Sequence, residues 1–170
     1  MEKNIYFLRH AKSDWSIPGQ KDIDRELNQR GKTDAPKMGR RLLELNVNPQ
    51  VIYASPAYRT KITAELVAEQ IHYNPDDIVC AEELYEASVR SMLNFINALD
   101  DKYSRVMLIG HNPTLTYLAE SLAKAELGNI PTCGVVNIVF DIDSWQEVSQ
   151  GIGHLKWFIY PKDDESKSSD

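Results

Sequence analysis

Cysteine is scarce in this chain, with only Cys80 and Cys133 among 170 residues. Two thiols so far apart build neither a disulfide framework nor a metal-ligand spacing, and they suit a reducing compartment. Long apolar runs are missing too: each stays within strand length, well short of the ~20 residues that cross a bilayer. The opening stretch, MEKNIYFLRH, lacks the basic and then extended apolar pattern of a secretory signal. A cytoplasmic protein with no membrane partner is the expectation. Excess positive charge is also absent. The formal net charge is -6, whereas nucleic-acid backbones reward clustered cations, so no nucleic-acid partner is expected. A short basic cluster, Lys37, Arg40 and Arg41, falls on helical spacing and reads as a solvated face. No histidine pair has zinc-ligand spacing, so neither a metal nor another cofactor is expected.

What is present is ordinary in bulk: 42% hydrophobic and 26% charged residues, the balance of a globular protein. The length suits one domain with one sizeable core, expected over residues 1–161, with a polar, disordered tail at 162–170. A monomer is the size-based expectation. Short β-rich runs at 4–8, 51–54 and 106–109 read as buried strands. Helical periodicity begins at Lys32, where Pro36 is tolerable if it falls in the first turn. Ser55-Pro56 reads as a second helix start, with Ser55 as N-cap. Further helices are expected over 88–99 and from Pro113, a short strand at 78–81, and strands at 135–140 and 155–160. Residues 11–30 form a long polar loop, a length uncommon without a function. The alternation predicts an α/β three-layer sandwich with a mostly parallel sheet and an antiparallel edge strand.

Each of the three clear strands ends in an unusual polar cluster. The first delivers Arg9-His10, the second Ser55-Pro56 with Arg59 one turn on, and the third Gly110-His111-Asn112. In open α/β sheets, ligands bind beyond the carboxyl ends of the strands, so parallel strands bring all three clusters to one edge. Guanidinium groups bind phosphate bidentately and stay charged. A neutral imidazole is a competent nucleophile near pH 7 when one ring nitrogen is free and the other donates to a fixed acceptor. Together these groups suit phosphoryl transfer, which depends mainly on positioning and electrostatics.

The same residues resemble a known family. Leu8-Arg9-His10-Ala11-Lys12-Ser13 is similar to the Arg-His box of the histidine phosphatase superfamily, which includes phosphoglycerate mutases and acid phosphatases. Ser55-Pro56-Ala57-x-Arg59-Thr60, with Thr63 a turn later, resembles its second box, and Gly110-His111-Asn112-Pro113 its third. The resemblance runs from about residue 4 to residue 140. The short length, the Gly-His-Asn-Pro form and the Arg25-x-Leu27 to Arg30-Gly31 spacing resemble the small phosphohistidine-phosphatase (SixA-like) branch.

This resemblance implies a phosphoglycerate mutase-like fold and a metal-independent phosphatase. It implies His10 as the phosphoryl acceptor, Arg9 and Arg59 as phosphate clamps, and His111 as the second imidazole on the phosphoryl group. Ser13 fits a phosphate-binding hydroxyl. Arg25 either completes the pocket or pairs on the surface with Asp22, Asp24 or Glu26. Asn112 either donates to substrate or caps a helix. Glu86, in Leu84-x-Glu86, is the best match to the family's proton donor, with Glu82 and Glu83 as competitors. The implied substrate is a protein phosphohistidine, with a small phosphate ester or a mutase reaction as alternatives. Ala11-Lys12 stands where the mutases usually carry Gly-Glu, which weighs against the mutase reading.

Overall fold

A computed structural model describes residues 1–163. In chain order, the elements are β1 (Glu2–Arg9), α1 (Gln29–Glu44), β2 (Val51–Ala54), α2 (Tyr58–Gln70), β3 (Val79–Cys80), α3 (Val89–Asn97), β4 (Arg105–Gly110), α4 (Thr114–Ala123), β5 (Val135–Asp141) and β6 (His154–Ile159). The six strands form one sheet in the order β3-β2-β4-β1-β5-β6. The first four in that order run parallel, β5 runs antiparallel to β1, and β6 antiparallel to β5.

Apolar side chains alternate across the strands, and both faces are covered. Ile5, Phe7, Val106 and Leu108 pack with Met92 and Ile96 of α3 and Leu115 and Leu118 of α4. Leu8, Ile52, Met107 and Ile109 turn the other way, onto Met38 and Leu42 of α1 and Ala64 and Val67 of α2. Period-two strands with both faces buried read as continuous apolar runs. The expected three-layer α/β/α sandwich with antiparallel strands at one side is the observed fold.

Register brings the strand ends level. Arg9 pairs with Gly110 across β1 and β4, and Ala54 with Ile109 across β2 and β4. The ladder runs one residue further: His10 N donates to Gly110 O at 3.1 Å, and Ser55 N to Ile109 O at 3.1 Å. His10, Ser55 and His111 therefore leave the sheet side by side.

Several local expectations are corrected. Helix α1 starts at Gln29, because the Asn28 side chain accepts from Gly31 N and caps the first turn. Pro36 thus lies inside the helix, leaving the carbonyl four residues back without its usual donor. Helix α2 begins at Tyr58 with Ala57 as its N-cap and no side-chain cap; Ser55 Oγ accepts from Ala57 N at 3.3 Å, ahead of the helix, and contacts His111. The basic face of α1 is not wholly solvated. Lys37 Nζ donates to Pro161 O at 2.9 Å, and Arg41 pairs with Asp163 at 2.8 Å and donates to Tyr160 O at 2.9 Å. Of the expected tail, residues 164–170 lie outside the described residues. Among the described residues, no helix is long and apolar enough to cross a membrane.

Candidate active site

The level strand ends open into a cleft of about 460 Å³ lined by Arg9, His10, Ser13, Arg25, Arg59, Glu86, His111 and Asn112, the site residues expected from the sequence apart from the competitors Glu82 and Glu83. Lys12, Trp15, Asp22, Tyr85 and Thr132 complete the wall.

His10 is buried, and its Nδ1 lies 2.7 Å from Ala11 O. A carbonyl oxygen only accepts, so Nδ1 carries the proton and Nε2 keeps its lone pair. Burial pushes the His10 pKa down to about 3, and His111, Arg59 and Arg9 push in the same direction against the Ala11 hydrogen bond. The ring is therefore neutral at pH 7. The Ala11 segment is itself pinned: Thr63 Oγ1 accepts from Ala11 N at 2.9 Å and donates to Arg59 O at 2.8 Å. One hydroxyl on α2 thus ties the loop after β1 to the helix that carries Arg59.

Two arginines face each other across Asp22. Arg59 donates from Nη1 to Asp22 O (2.7 Å) and from Nη2 to Asp22 Oδ2 (3.1 Å). Arg25 donates from Nη2 to Asp22 Oδ1 (2.6 Å) and from Nη1 to Ser13 Oγ (2.7 Å). The two sequence readings of Arg25 are both present: it pairs with a carboxylate and still lines the pocket. Trp15 stacks on its guanidinium at 3.5 Å, an arrangement that fixes the plane of the fork. These contacts hold the Asp22 carboxyl well below the usual carboxylate range, although burial alone would raise it. Arg9 donates from Nη1 to Ile130 O at 2.9 Å. The Nε atoms of Arg9 and Arg59 are buried without a partner, unpaired donors of the kind an oxyanion satisfies.

His111 stands 5.2 Å from His10, ring centre to ring centre. Its Nε2 lies 2.7 Å from Ser55 Oγ, and its Nδ1 lies 3.4 Å from Arg59 Nη2. Burial first, and Arg59 second, push its pKa down to about 4, with Asp22 opposing. Tyr85 packs edge-on against this ring at 5.6 Å and donates to Asp22 Oδ2 at 2.7 Å.

The remaining residues differ in what they have free. Ser13 is buried, and its hydroxyl accepts from Arg25, which leaves its own proton to give. Asn112 spends its amide hydrogens on Asn129 Oδ1 (3.0 Å) and Ile130 O (2.9 Å), while its oxygen takes the Thr116 hydroxyl at 2.9 Å. It braces the 129–130 loop against α4. Glu86 is exposed and adopts φ 54°, a left-handed backbone that costs a non-glycine residue about 1 kcal/mol. Glu82 and Glu83 sit in a preceding 3-10 turn and do not line the cleft. Among the described residues, no group of three or more His, Cys, Asp or Glu side chains is placed to hold a metal ion.

Sequence reasoning named Asp22 only as one possible partner of Arg25, not as a partner of Arg59, and missed Tyr85 and the role of Ser55. Asp22 and Tyr85 carry no spacing signal, since loop folding alone brings them to the clamp. Ser55 had a signal, its place at a strand end, but the Ser-Pro pair reads equally well as a helix cap.

Comparison with known proteins agrees with this geometry. The model of the histidine phosphatase superfamily (branch 1) matches residues 5–92. The crystal structure of the SixA protein of Agrobacterium tumefaciens, assigned as a phosphohistidine phosphatase, superimposes with a TM-score of 0.80 at 28% identity, covering 94% of this chain and 98% of that one. The protein histidine phosphatase SixA complexed with tungstate shares the fold, with a TM-score of 0.77 at 22% identity over 93% and 97% of the two chains. An uncharacterized chloroplastic protein of Arabidopsis thaliana is 27% identical over 92% of this chain and 75% of its own length. With the family model matching residues 5–92 and the fold shared along nearly the whole chain, the chain belongs to the histidine phosphatase superfamily, in its SixA-like branch.

Proposed function

We propose that this protein is a phosphatase that works through a phosphohistidine on His10, and that its substrate is a phosphohistidine on another protein. The observation that carries the reading is the His10–Ala11 hydrogen bond of 2.7 Å, which leaves Nε2 as a lone pair in a cleft lined by three arginines.

In the first step, His10 Nε2 attacks phosphorus and the bond from phosphorus to the substrate nitrogen breaks. Arg9, Arg59 and Ser13 hold the phosphoryl oxygens as charge shifts onto them, and His111 joins them by taking up a proton on Nδ1 when the phosphoryl group enters the cleft. Nδ1–H stays on the Ala11 carbonyl throughout and stabilises the charge that the ring acquires. The leaving imidazole takes its proton from Glu86 or from solvent. In the second step, water attacks phospho-His10, the P–Nε2 bond breaks, and inorganic phosphate forms with neutral His10. Glu86 serves as the base for that water.

The similarity to SixA structures supports the phosphohistidine substrate, as does a cleft mouth where Trp15 and Ile17 are exposed at the rim loop. Glu86 on the cleft wall supports a second reading, hydrolysis of a small phosphate ester, since an alkoxide leaving group needs an acid. Hydrolysis of phosphohistidine peptides measured beside aryl and sugar phosphates tests both. Higher kcat/KM on phosphohistidine is expected. Turnover of esters alone would replace the first reading with the second, and turnover of neither would remove both.

A further inference from the structure

Asp22 holds a position that the phosphatase reading leaves unexplained. Its carboxylate accepts from Arg25 Nη2 (2.6 Å), Arg59 Nη2 (3.1 Å) and Tyr85 Oη (2.7 Å). Donors from three separate segments converge on one anion, and two of them are guanidinium groups that match phosphoryl oxygens equally well. The carboxylate is about half exposed, while Arg59 is almost fully buried. Meanwhile the Nε atoms of Arg9 and Arg59 lack partners. The exposed side of the clamp is thus already taken: the Nη donors of Arg25 and Arg59 are spent on Asp22. Asp22 belongs to a short turn, residues 22–24, on the loop that follows Pro18 and Gly19, and Gly19 takes φ 73°. That loop is pinned at its base by a Ser13–Leu27 bridge.

We propose that Asp22 is an internal competitor for the phosphoryl group: its carboxylate occupies the Arg25–Arg59 clamp in the empty enzyme, yields it to substrate oxygens, and returns to expel inorganic phosphate. The proposal rests on the phosphatase reading and adds a step to it. A tethered carboxylate competes at a high effective concentration. It therefore weakens every oxyanion that needs these arginines, the product included. Substrate tolerates the competition because it also engages His10 and His111. Product release limits many hydrolytic cycles, and a competitor built into the loop accelerates it.

The test uses the whole chain and two probes, tungstate and inorganic phosphate. Dissociation constants are measured by calorimetry, and phosphate inhibition by turnover of an aryl phosphate. Asp22→Asn is expected to tighten both anions by roughly tenfold, the equivalent of about one charge-assisted hydrogen bond, and to lower the phosphate inhibition constant alike. Trp15 supplies a readout that long-range charge would not move. Tungstate is expected to change Trp15 fluorescence in the wild type as Arg25 leaves Asp22. Trp15→Phe abolishes that change, and Asp22→Asn, with the clamp already released, lacks it. Tyr85→Phe removes one donor to the carboxylate and is expected to shift affinity the same way by a smaller factor, which decides the matter if Asp22→Asn does not fold. Unchanged or weaker oxyanion binding in folded Asp22→Asn, or in Tyr85→Phe, overturns the proposal and makes Asp22 a positioning residue for Arg59. If the wild type binds neither probe, the phosphatase reading itself fails.

Discussion

Ser55 Oγ lies 2.7 Å from Nε2 of His111, and this contact sets the orientation of the second imidazole. Arg59 only donates and lies near Nδ1, so the His111 proton sits on Nε2, directed at Ser55. The ring is thus held from one side by a hydroxyl and from the other by the phosphate clamp.

Removing that hydroxyl should disturb catalysis more than folding. Ser55→Ala is expected to lower kcat by roughly tenfold, the scale of one orienting hydrogen bond, with KM little changed. Steady-state kinetics beside a thermal melt check it. An unaltered kcat would show that Thr60, 3.4 Å from the same nitrogen, holds the ring alone.

Burial of His10 has a consequence for acid stability. Its pKa falls from 6.5 in the open chain to about 3 in the folded protein, so between those values the unfolded state binds the extra proton. Stability therefore rises with pH through this window: the contribution is fully present above about pH 6.5 and is lost as the pH falls towards 3. His10→Gln is expected to flatten the pH dependence by about 1.4 kcal/mol per pH unit inside the window. Urea titrations of both proteins from pH 4.5 to 7 measure this. Parallel curves would mean that the imidazole is charged in the fold.

Glu86 separates the two substrate classes. Glu86→Gln removes the carboxyl proton and is expected to slow ester hydrolysis about 10²-fold, while phosphohistidine hydrolysis falls much less, because imidazole leaves more readily than an alkoxide. Equal losses on both substrates would place the chemistry of Glu86 in the shared hydrolysis of phospho-His10.

Helix α1 presses on the catalytic loop through Gly31. A Cβ at that position would overlap the Lys12 carbonyl oxygen, which also accepts from Asn28 N at 3.0 Å. Gly31→Ala is expected to cost about 1–3 kcal/mol, the range for forcing backbone apart in a packed site, and to lower activity by displacing Ser13. Chemical denaturation and a kinetic assay on the same sample give both numbers.

The parts of the site legible in the sequence are those that sit at strand ends. Arg9-His10 and Gly110-His111 follow continuous apolar runs, so a strand reading places them at one edge. Arg59 is fixed by a single helical turn after Ser55. What stayed hidden depends on contacts distant in sequence. Asp22 reaches Arg59 only because loop 11–28 folds back through the Ser13–Leu27 bridge. Tyr85 meets His111 from the residue after a short 3-10 turn that carries no helical period. The start of α1 was legible in principle from Asn28, a good cap, but Gln29 and Arg30 add nothing to the apolar stripe. The basic face of the same helix reads as solvated, yet residues 160–163 lie against it.

The central claim is the covalent intermediate, and direct trapping tests it most sharply. Wild type and His10→Ala are mixed with a phosphohistidine peptide or an aryl phosphate, quenched without acid, and analysed by intact mass and peptide mapping. The predicted result is one acid-labile phosphoryl group per chain, mapped to His10 and absent from the variant, which also loses turnover. Turnover by His10→Ala at the wild-type rate, with no phosphoryl group on the wild-type chain, would contradict the account.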